Sequence, residues 1–205
     1  MIGWLRANPD AFLDALLQHL ALSVSGLLIG VALALPAALL LARRPVLAEW
    51  ASAGAGVLRT LPSLAVLAAL LPLLGVGFTP SVVALALLAL PPVLLHALVG
   101  LRGAEPAAVE AARGMGFTPL QSLLRVELPL ALPQVFAGLR TAAVQVVSGA
   151  SLATFIGGGG LGDLVTQGMA LLDIPQVQVG GIAIALLALA TEGGFGWLQR
   201  RWERA

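Results

Sequence analysis

Residues 110–129 read EAARGMGFTPLQSLLRVELP and form the one long polar interruption in an otherwise apolar chain. Hydrophobic residues make up 59% of the 205 residues and charged residues only 10%, whereas soluble domains carry roughly 25% charged residues. The mean hydropathy is +0.99, which predicts an integral membrane protein. Most of the chain therefore needs a lipid solvent, while residues 110–129 are built to stand outside it.

Two missing residue types narrow the chemistry that the chain can perform. It has no cysteine, which excludes disulfides, thiol catalysis and thiolate metal sites. All eleven basic residues are arginine, so no lysine is present to complete a phosphate-binding loop of the GxxxxGK[ST] type. We expect no metal, no cofactor and no nucleic-acid partner.

Apolar runs predict an all-α, polytopic membrane protein with about five membrane-spanning helices. Each run has about twenty residues or more, enough at 1.5 Å per residue to cross a hydrocarbon core of ~30 Å. We place the spans at 20–41, 57–75, 81–101, 130–156 and 177–198, after an interfacial helix over 12–20. The chain is expected to form one domain, 1–205, with a membrane core over 19–198. Five prolines should kink or break these helices: Pro36, Pro62, Pro72, Pro91 and Pro92.

The arginine positions predict the orientation of the chain in the membrane. With the N-terminus outside, the segments 43–44, 102–125 and 200–204 all lie in the cytoplasm, and Arg59 and Arg140 lie near cytoplasmic helix ends. Only Arg6 then remains outside, in agreement with the positive-inside rule. Residues 110–129 and the C-terminus are therefore predicted to be cytoplasmic.

Glycine and proline positions predict the shape of the polar segment. Gly114 and Gly116 allow a first short helix to stop and the backbone to turn. Thr118 and Pro119 then suit the cap and first position of a second helix, which Pro129 should end at the membrane. The pattern alone fits an ordinary amphipathic loop equally well.

The spacing of Glu-Ala-Ala at 110–112, Gly116, Val126 and Leu-Pro at 128–129 resembles the EAA signature of bacterial ABC-importer permease subunits. The resemblance implies the MetI-like permease fold, with residues 102–129 as a cytoplasmic coupling loop. In that family the loop inserts into a groove of a separate ATP-binding subunit and transmits nucleotide-driven movement to the pore. By resemblance, the coupling residues are Glu110, Ala111, Ala112, Gly114 and Gly116.

Further stretches at 59–65, 114–116, 128–133, 137–141 and 156–163 resemble the osmoprotectant branch, whose members carry glycine betaine, carnitine and choline. The resemblance implies an importer permease in the bacterial cytoplasmic (inner) membrane, without enzymatic activity of its own. The partners it implies are an ATP-binding cassette subunit, an extracytoplasmic solute-binding protein, the lipid bilayer and a second permease copy, identical or related. Permeases for methionine or another small solute, which share the fold and the loop, are the alternative.

An intramembrane enzyme is the remote third hypothesis. Such an enzyme needs clustered carboxylates, histidines or a nucleophile beside a base. The spans offer only four scattered candidates: Ser148, Ser151, Glu192 and His96.

A glycine-rich stretch, GGGGLGD at 157–163, predicts non-helical backbone at the outer mouth of the bundle. A nucleotide-binding loop is disfavoured, because no lysine completes it and a spanning helix precedes it. A gate, a docking surface and a flexible loop remain open. The candidate residues for a translocation path or gate are Gly157, Gly158, Gly159, Gly160, Arg140 and His96.

Arg140 and Glu192 are the ionisable residues placed deepest in the predicted spans. A charge at this depth should face the bundle interior, water or a partner. Because the two lie at similar depth, we hypothesise that they pair, within a subunit or across a dimer. Separate extension of each side chain towards the interface is the alternative. His19 is expected at the membrane edge without a particular role.

Overall fold

Four helices of the computed structural model, which describes residues 1–202, are long and apolar enough to cross a membrane. They cover Pro9–Leu41, Phe78–Arg102, Pro119–Ile156 and Ile174–Arg201, and the third contains short non-α turns. Within the described residues the structure is all-helical, as predicted. The helices are α1 (Ile2–Ala7), α2 (Pro9–Leu41), α3 (Pro45–Thr60), α4 (Ser63–Leu74), α5 (Phe78–Arg102), α6 (Pro106–Gly114), α7 (Pro119–Ser122), α8 (Leu128–Ala150), α9 (Leu161–Leu171) and α10 (Ile174–Trp202).

Helix α2 begins well before the predicted first span. It runs without interruption for 33 residues, about 50 Å at 1.5 Å per residue. No glycine or proline lies between Pro9 and Gly26 to separate an interfacial segment from the span. The first turns of α2 instead pack through Phe12, Ala15 and Leu16 against the cluster that α9 and α10 form.

The second predicted span is broken at Pro62, one of the five prolines expected to kink or break a helix. Helices α3 and α4 meet at an angle of 98°. Leu61 and Pro62 between them are both extended, with ψ of 131° at each. The proline ring disfavours a helical conformation at Leu61, and its nitrogen has no hydrogen to donate. Pro62 therefore breaks its helix, whereas Pro36, Pro72, Pro91 and Pro92 stay inside theirs.

Helix α5 lies at the centre of the bundle, with α2 and α8 packed closely along it and α3 and α4 also in contact. Glycines allow the close approach of α2: a Cβ atom built on Gly26 or Gly30 would lie 2.6 Å from the Cβ atom of Leu85 or Ala89, respectively. Small residues at such positions are typical of helix packing in membranes. The buried core follows this centre and consists largely of Ala, Val and Leu.

Contacts at the two ends of the bundle show how the bent pair runs. At one end, Arg43 precedes α3 and its side chain binds Glu127, next to α8. At the other end, the Gly77 amide after α4 donates to the Ile156 carbonyl, 2.7 Å away. The pair α3–α4 therefore passes from one end of the bundle to the other and provides the fifth predicted crossing in a bent form.

Candidate functional site

Residues 102–129, predicted above to be a coupling loop and called by that name below, present an exposed surface at the Arg43 end of the bundle. Glu110 and Ala111 are exposed on α6, and Met115 and Leu120 beyond it are 69% and 62% exposed. Ala112 is fully buried and faces the rest of the protein. The Glu-Ala-Ala run thus has two residues turned outward and one that anchors the helix.

The predicted helix–turn–helix shape of this loop is present. Gly116 has a φ of +83°, a left-handed conformation that favours glycine. Thr118 forms a capping box: its hydroxyl oxygen accepts from the Gln121 amide at 3.3 Å, and the Gln121 side-chain oxygen accepts from the Thr118 amide at 2.8 Å. Gly114 is the last residue of α6 and does not have a positive φ.

Pro129 does not end the second helix, so that prediction was wrong. The chain continues from α7 through one wide π-helical turn, Leu123–Glu127, directly into α8. In this turn the Leu128 amide donates to the Leu123 carbonyl, five residues back. A proline cannot donate, and its ring clashes with the carbonyl four residues earlier in a regular helix. The wide turn just before Pro129 accommodates this mismatch and connects residues 102–122 to α8 without a break in the helical backbone.

Glu127 joins residues 102–129 to the segment between α2 and α3. Its side-chain oxygen accepts from Arg43 at 2.6 Å and from the Ser122 hydroxyl at 2.9 Å. The residue is only 8% exposed. Sequence reasoning did not single out Glu127, because nothing local indicates that Arg43 lies beside it.

An open cavity of about 340 Å³ lies beside the break between α3 and α4. Its polar lining comes from Ser63 at the start of α4 and from Gln145 and Ser148 on α8. Gln134 and Thr141 lie on the same face of α8 as Gln145 and Ser148. Successive members of this set are seven, four and three residues apart, which correspond to nearly whole helical turns. These four α8 residues form a polar stripe, and sequence reasoning missed it.

The polar stripe is not suited to face lipid, because unsatisfied polar groups cost free energy in hydrocarbon. Ser148 is exposed and Gln145 half-buried. Within residues 1–202, the Gln145 amide group and the Ser148 hydroxyl form no hydrogen bond, and the Thr141 hydroxyl donates to the Ala137 carbonyl of its own helix. Such a face suits water or another polar surface. Its signal in the sequence is the helical spacing of polar residues within an apolar span.

The glycine-rich stretch is packed rather than loose. The Gln18 side-chain amide of α2 donates to the Gly158 carbonyl at 2.9 Å. Gly158, Gly159 and Gly160 are buried, and the last two have φ values of +79° and +92°. A Cβ atom at Gly159 would lie 2.2 Å from the Gln18 side-chain nitrogen. This packing disfavours the flexible-loop interpretation of the stretch.

His19, expected at the membrane edge without a particular role, contributes to helix packing. It is fully buried, and its Nε2 atom lies 3.0 Å from the Val147 carbonyl of α8. Its Nδ1 atom is buried without a hydrogen-bond partner among the described residues. His19 is therefore part of the packing of α2 against α8.

The hypothesised pair of Arg140 and Glu192 is present within one chain. The Arg140 Nε atom donates to Glu192 Oε1 at 2.8 Å and joins α8 to α10. Arg140 directly precedes Thr141, so it lies about 100° around α8 from the polar stripe. His96 lies elsewhere, at the contact of α5 with Gly138 of α8, and is half-buried.

The other candidates do not meet in one catalytic or metal-binding cluster. Glu192 binds Arg140, while His96 lies on α5 and Ser151 donates to the Ser148 carbonyl at 2.6 Å. Within residues 1–202, no group of three or more His, Asp or Glu side chains could hold a metal ion. The features that the fold brings together are a coupling loop at one end and a polar-lined cavity beside a broken helix.

Known proteins are similar to this chain in sequence and in fold. The family described as "Binding-protein-dependent transport system inner membrane component" matches residues 26–204. The carnitine transport permease protein OpuCB of Listeria monocytogenes is 38% identical over 201 residues, covering 98% of this chain and 92% of that protein. The choline transport system permease protein OpuBB of Bacillus subtilis (strain 168) is 35% identical over 192 residues, covering 94% and 88%.

Two solved structures show the same fold at lower sequence identity. One, an inward-facing conformation of the MetNI methionine ABC transporter, has a TM-score of 0.84 at 21% identity and covers 93% of this chain and 95% of that one. The other, an amino acid ABC transporter with histidines, has a TM-score of 0.75 at 23% identity and covers 99% and 97%.

Proposed function

Because the chain belongs to the family of binding-protein-dependent transport system inner membrane components, we propose that it is the permease subunit of an ATP-driven osmoprotectant importer. Its solutes are small quaternary ammonium compounds of the glycine betaine, carnitine and choline type. The observation that carries this proposal is the 38% identity to a carnitine permease over 98% of the chain. The likeness to a methionine importer, at 21% identity, is a likeness of fold and does not favour methionine as the solute.

The coupling loop is proposed to bind a separate ATP-binding subunit, which hydrolyses ATP. Glu110, Ala111, Gly114 and Gly116 are exposed and can contact such a subunit directly. Ala112 is buried, so its role is to hold α6 against the bundle. The continuous path from α7 through the π turn into α8 supports a mechanical role, because movement of the loop would move a spanning helix.

The translocation path is proposed to run along the polar stripe of α8 and past the break at Pro62. Irregular backbone at membrane depth is tolerated where it lines a cavity or contacts protein, and broken helices line the substrate sites of many transporters. The stripe contains hydroxyl and amide groups and no formal charge, which suits passage of a small polar solute without tight binding. A second permease copy, identical or related, would complete the wall of this open cavity.

The glycine-rich stretch and the start of α9 are proposed to lie at the outer mouth, where an extracytoplasmic solute-binding protein would deliver solute. This orientation places the N-terminus outside and the arginine-rich end in the cytoplasm. The absence of cysteine makes the orientation testable with single cysteines at Gly3 and Gly103. A membrane-impermeant maleimide should label intact cells at position 3 only; labelling at position 103 alone would reverse the orientation.

Uptake of radiolabelled solutes tests the function. The chain is expressed with its ATP-binding and solute-binding partners in a cell that lacks its own osmoprotectant and methionine importers. We expect ATP-dependent uptake of glycine betaine, carnitine or choline and none of methionine. Uptake of methionine alone would reject the osmoprotectant assignment and keep the permease assignment. The matched control is a partner ATPase with an inactivated Walker A lysine, which should abolish uptake.

A further inference from the structure

A second open cavity, of about 520 Å³, lies between the coupling loop and the end of the bundle. Three arginines from separate segments line it: Arg43 after α2, Arg102 at the end of α5 and Arg113 on α6. The remaining lining includes Leu101 and Pro119, which are apolar. The fold therefore gathers three positive charges around one space.

The negative charge in this cavity balances only part of the positive charge. Glu127 is the one acidic residue in the lining, and it is occupied by Arg43 at 2.6 Å. Arg102 has only a distant partner, Glu49, at 4.0 Å, and the Glu49 side chain is 71% exposed. Within residues 1–202, the Arg113 side chain forms no hydrogen bond or ion pair. The lining thus has a surplus of two positive charges, on Arg102 and Arg113.

We propose that this cavity binds a phosphate-bearing anion through Arg102 and Arg113. The guanidinium group presents planar paired donors that match the oxygens of a phosphate, and such bonds are stronger than neutral ones. The source is either the headgroup of an anionic phospholipid or free phosphate in solution. The headgroup source rests on the proposed orientation, because basic pockets between helices on the cytoplasmic side bind such headgroups. Neither source depends on which solute is carried.

Occupancy would affect the coupling loop. Arg102 ends a spanning helix, while Arg113 belongs to α6 of the loop. An anion held by both would fasten the loop to the bundle at a second place, beside the Arg43–Glu127 ion pair. We expect an occupied site to stabilise the loop against separation from α5.

The test uses the purified permease complex in nanodiscs of phosphatidylcholine, with and without phosphatidylglycerol. Native mass spectrometry counts retained phosphatidylglycerol, and thermal unfolding measures protection by lipid or by inorganic phosphate. The test variant is Arg102→Gln with Arg113→Gln. The matched control is Arg44→Gln, which removes an exposed arginine of the same end that does not line the cavity.

We expect the anion affinity of the double variant to fall by roughly tenfold or more. The Arg44→Gln variant should bind the anion as tightly as the unmodified protein. Loss of retained phosphatidylglycerol identifies a lipid headgroup; loss of protection by inorganic phosphate in phosphatidylcholine alone identifies free phosphate. Equal binding of both anions by the unmodified and double-variant proteins overturns the proposal. The proposal is also overturned if the unmodified protein binds neither anion. In that case the arginines would be available to an acidic segment of the ATP-binding subunit.

If the double variant does not fold, Arg113→Gln alone serves as the test. Arg113 is exposed, and its side chain forms no hydrogen bond or ion pair within residues 1–202 that the substitution would break. Its anion affinity should still fall severalfold, and an unchanged affinity would count against the proposal. Uptake assays are not needed for either result, so the anion site and the transport function can fail independently.

Discussion

Glu127 shows how one side chain joins segments that are 84 residues apart in the sequence. Its carboxylate binds Arg43 and Ser122 while only 8% of the residue is exposed. A buried charge is tolerated when it is paired and hydrogen-bonded. The coupling loop is therefore fastened to the bundle by a specific contact as well as by its connection to α8.

The substitution Glu127→Gln should lower the free energy of unfolding by about 1–2 kcal/mol. Glutamine can still accept from Ser122 but has no charge for Arg43, whose side chain is 35% exposed and partly screened by solvent. Thermal or denaturant unfolding in nanodiscs measures the change. The control is Glu49→Gln, which breaks only an exposed 4.0 Å pair and should change stability by less than roughly 0.5 kcal/mol. Equal losses for both variants would contradict the role given to Glu127.

The deep charges and the buried histidine show which residue contacts can be read from sequence. Arg140 and Glu192 lie at similar distances from their helix ends, and a charge inside the membrane needs a partner, so their pairing was predictable and is confirmed. His19 offered no such constraint. Its burial depends on which helix packs against it. That helix is α8, where Val147, 128 residues along the chain, contacts the His19 ring.

At the scale of helices, close packing of α2 on α5 depends on glycine. A Cβ atom at Gly30 would lie 2.6 Å from Ala89 Cβ and 2.9 Å from the Ala86 carbonyl oxygen. The helices would have to move apart to admit it. Gly54 in the interior of α3 offers the opposite case, because a Cβ atom there meets no other atom within 4 Å.

The substitution Gly30→Ala should therefore destabilise the protein by about 1–3 kcal/mol, as overpacking does. Gly54→Ala adds the same methyl group in open space and should be neutral or stabilising by up to roughly 1 kcal/mol, because alanine favours helix. The midpoint of thermal unfolding in detergent compares the two. If Gly30→Ala is as stable as Gly54→Ala, the contact between α2 and α5 is looser than the structure indicates.

The break between α3 and α4 and the polar stripe of α8 line the same cavity. Pro62 interrupts the helix, and the cavity lies where Ser63 faces Gln145 and Ser148. Proline chemistry predicted a kink or break at Pro62 but also at four prolines that stay inside their helices, and it did not predict the 98° change of direction. That angle depends on what the two half-helices pack against.

The substitution Ser148→Trp should reduce solute uptake by about tenfold or more, because a large side chain would fill much of the cavity. Binding of the ATP-binding subunit should not change, since the coupling loop is remote from Ser148. The control is Thr191→Val on α10, which removes a hydroxyl that bonds only within its own helix, to Leu187 at 2.8 Å. Normal uptake by the Ser148→Trp variant would show that solute does not pass this cavity.

At the scale of the whole molecule, the two ends of the bundle differ in structure. The Arg43 end contains the coupling loop, and the Ile156 end contains the packed glycine-rich stretch. Helix α8 connects them, since it follows the loop directly and leads through residues 151–156 to the glycines. Movement at one end can therefore reach the other through one continuous element.

Two changes to the coupling loop test its link to an ATP-binding subunit. Gly116→Val places a β-branched residue at a φ of +83°, and Glu110→Arg reverses an exposed charge. Each should reduce recovery of the ATP-binding subunit with a tagged permease severalfold. Gly181→Ala, where a Cβ atom meets nothing within 4 Å, is the control and should leave recovery unchanged. Undiminished recovery with both loop variants would remove the coupling role from residues 110–116.

The sequence by itself determined the all-helical fold and the cap and turn of the coupling loop; it also predicted a kink or break at Pro62 and offered Glu192 as a partner for Arg140. Each follows from local chemistry: apolar length, a threonine cap, a positive φ at glycine, a missing amide hydrogen or a charge that needs neutralising. Arg204, one of the residues used for the orientation, lies outside the described residues.

Only the tertiary structure decided the ion pair of Glu127, the cover over His19, the cavity beside α4 and the continuity of the loop with α8 past Pro129. Each of the first three depends on segments that meet from distant parts of the chain. The fourth depends on the wide helical turn Leu123–Glu127, which lets the helix continue past Pro129. Local sequence chemistry limits what each segment can form, while the packing of helices selects which side chains meet.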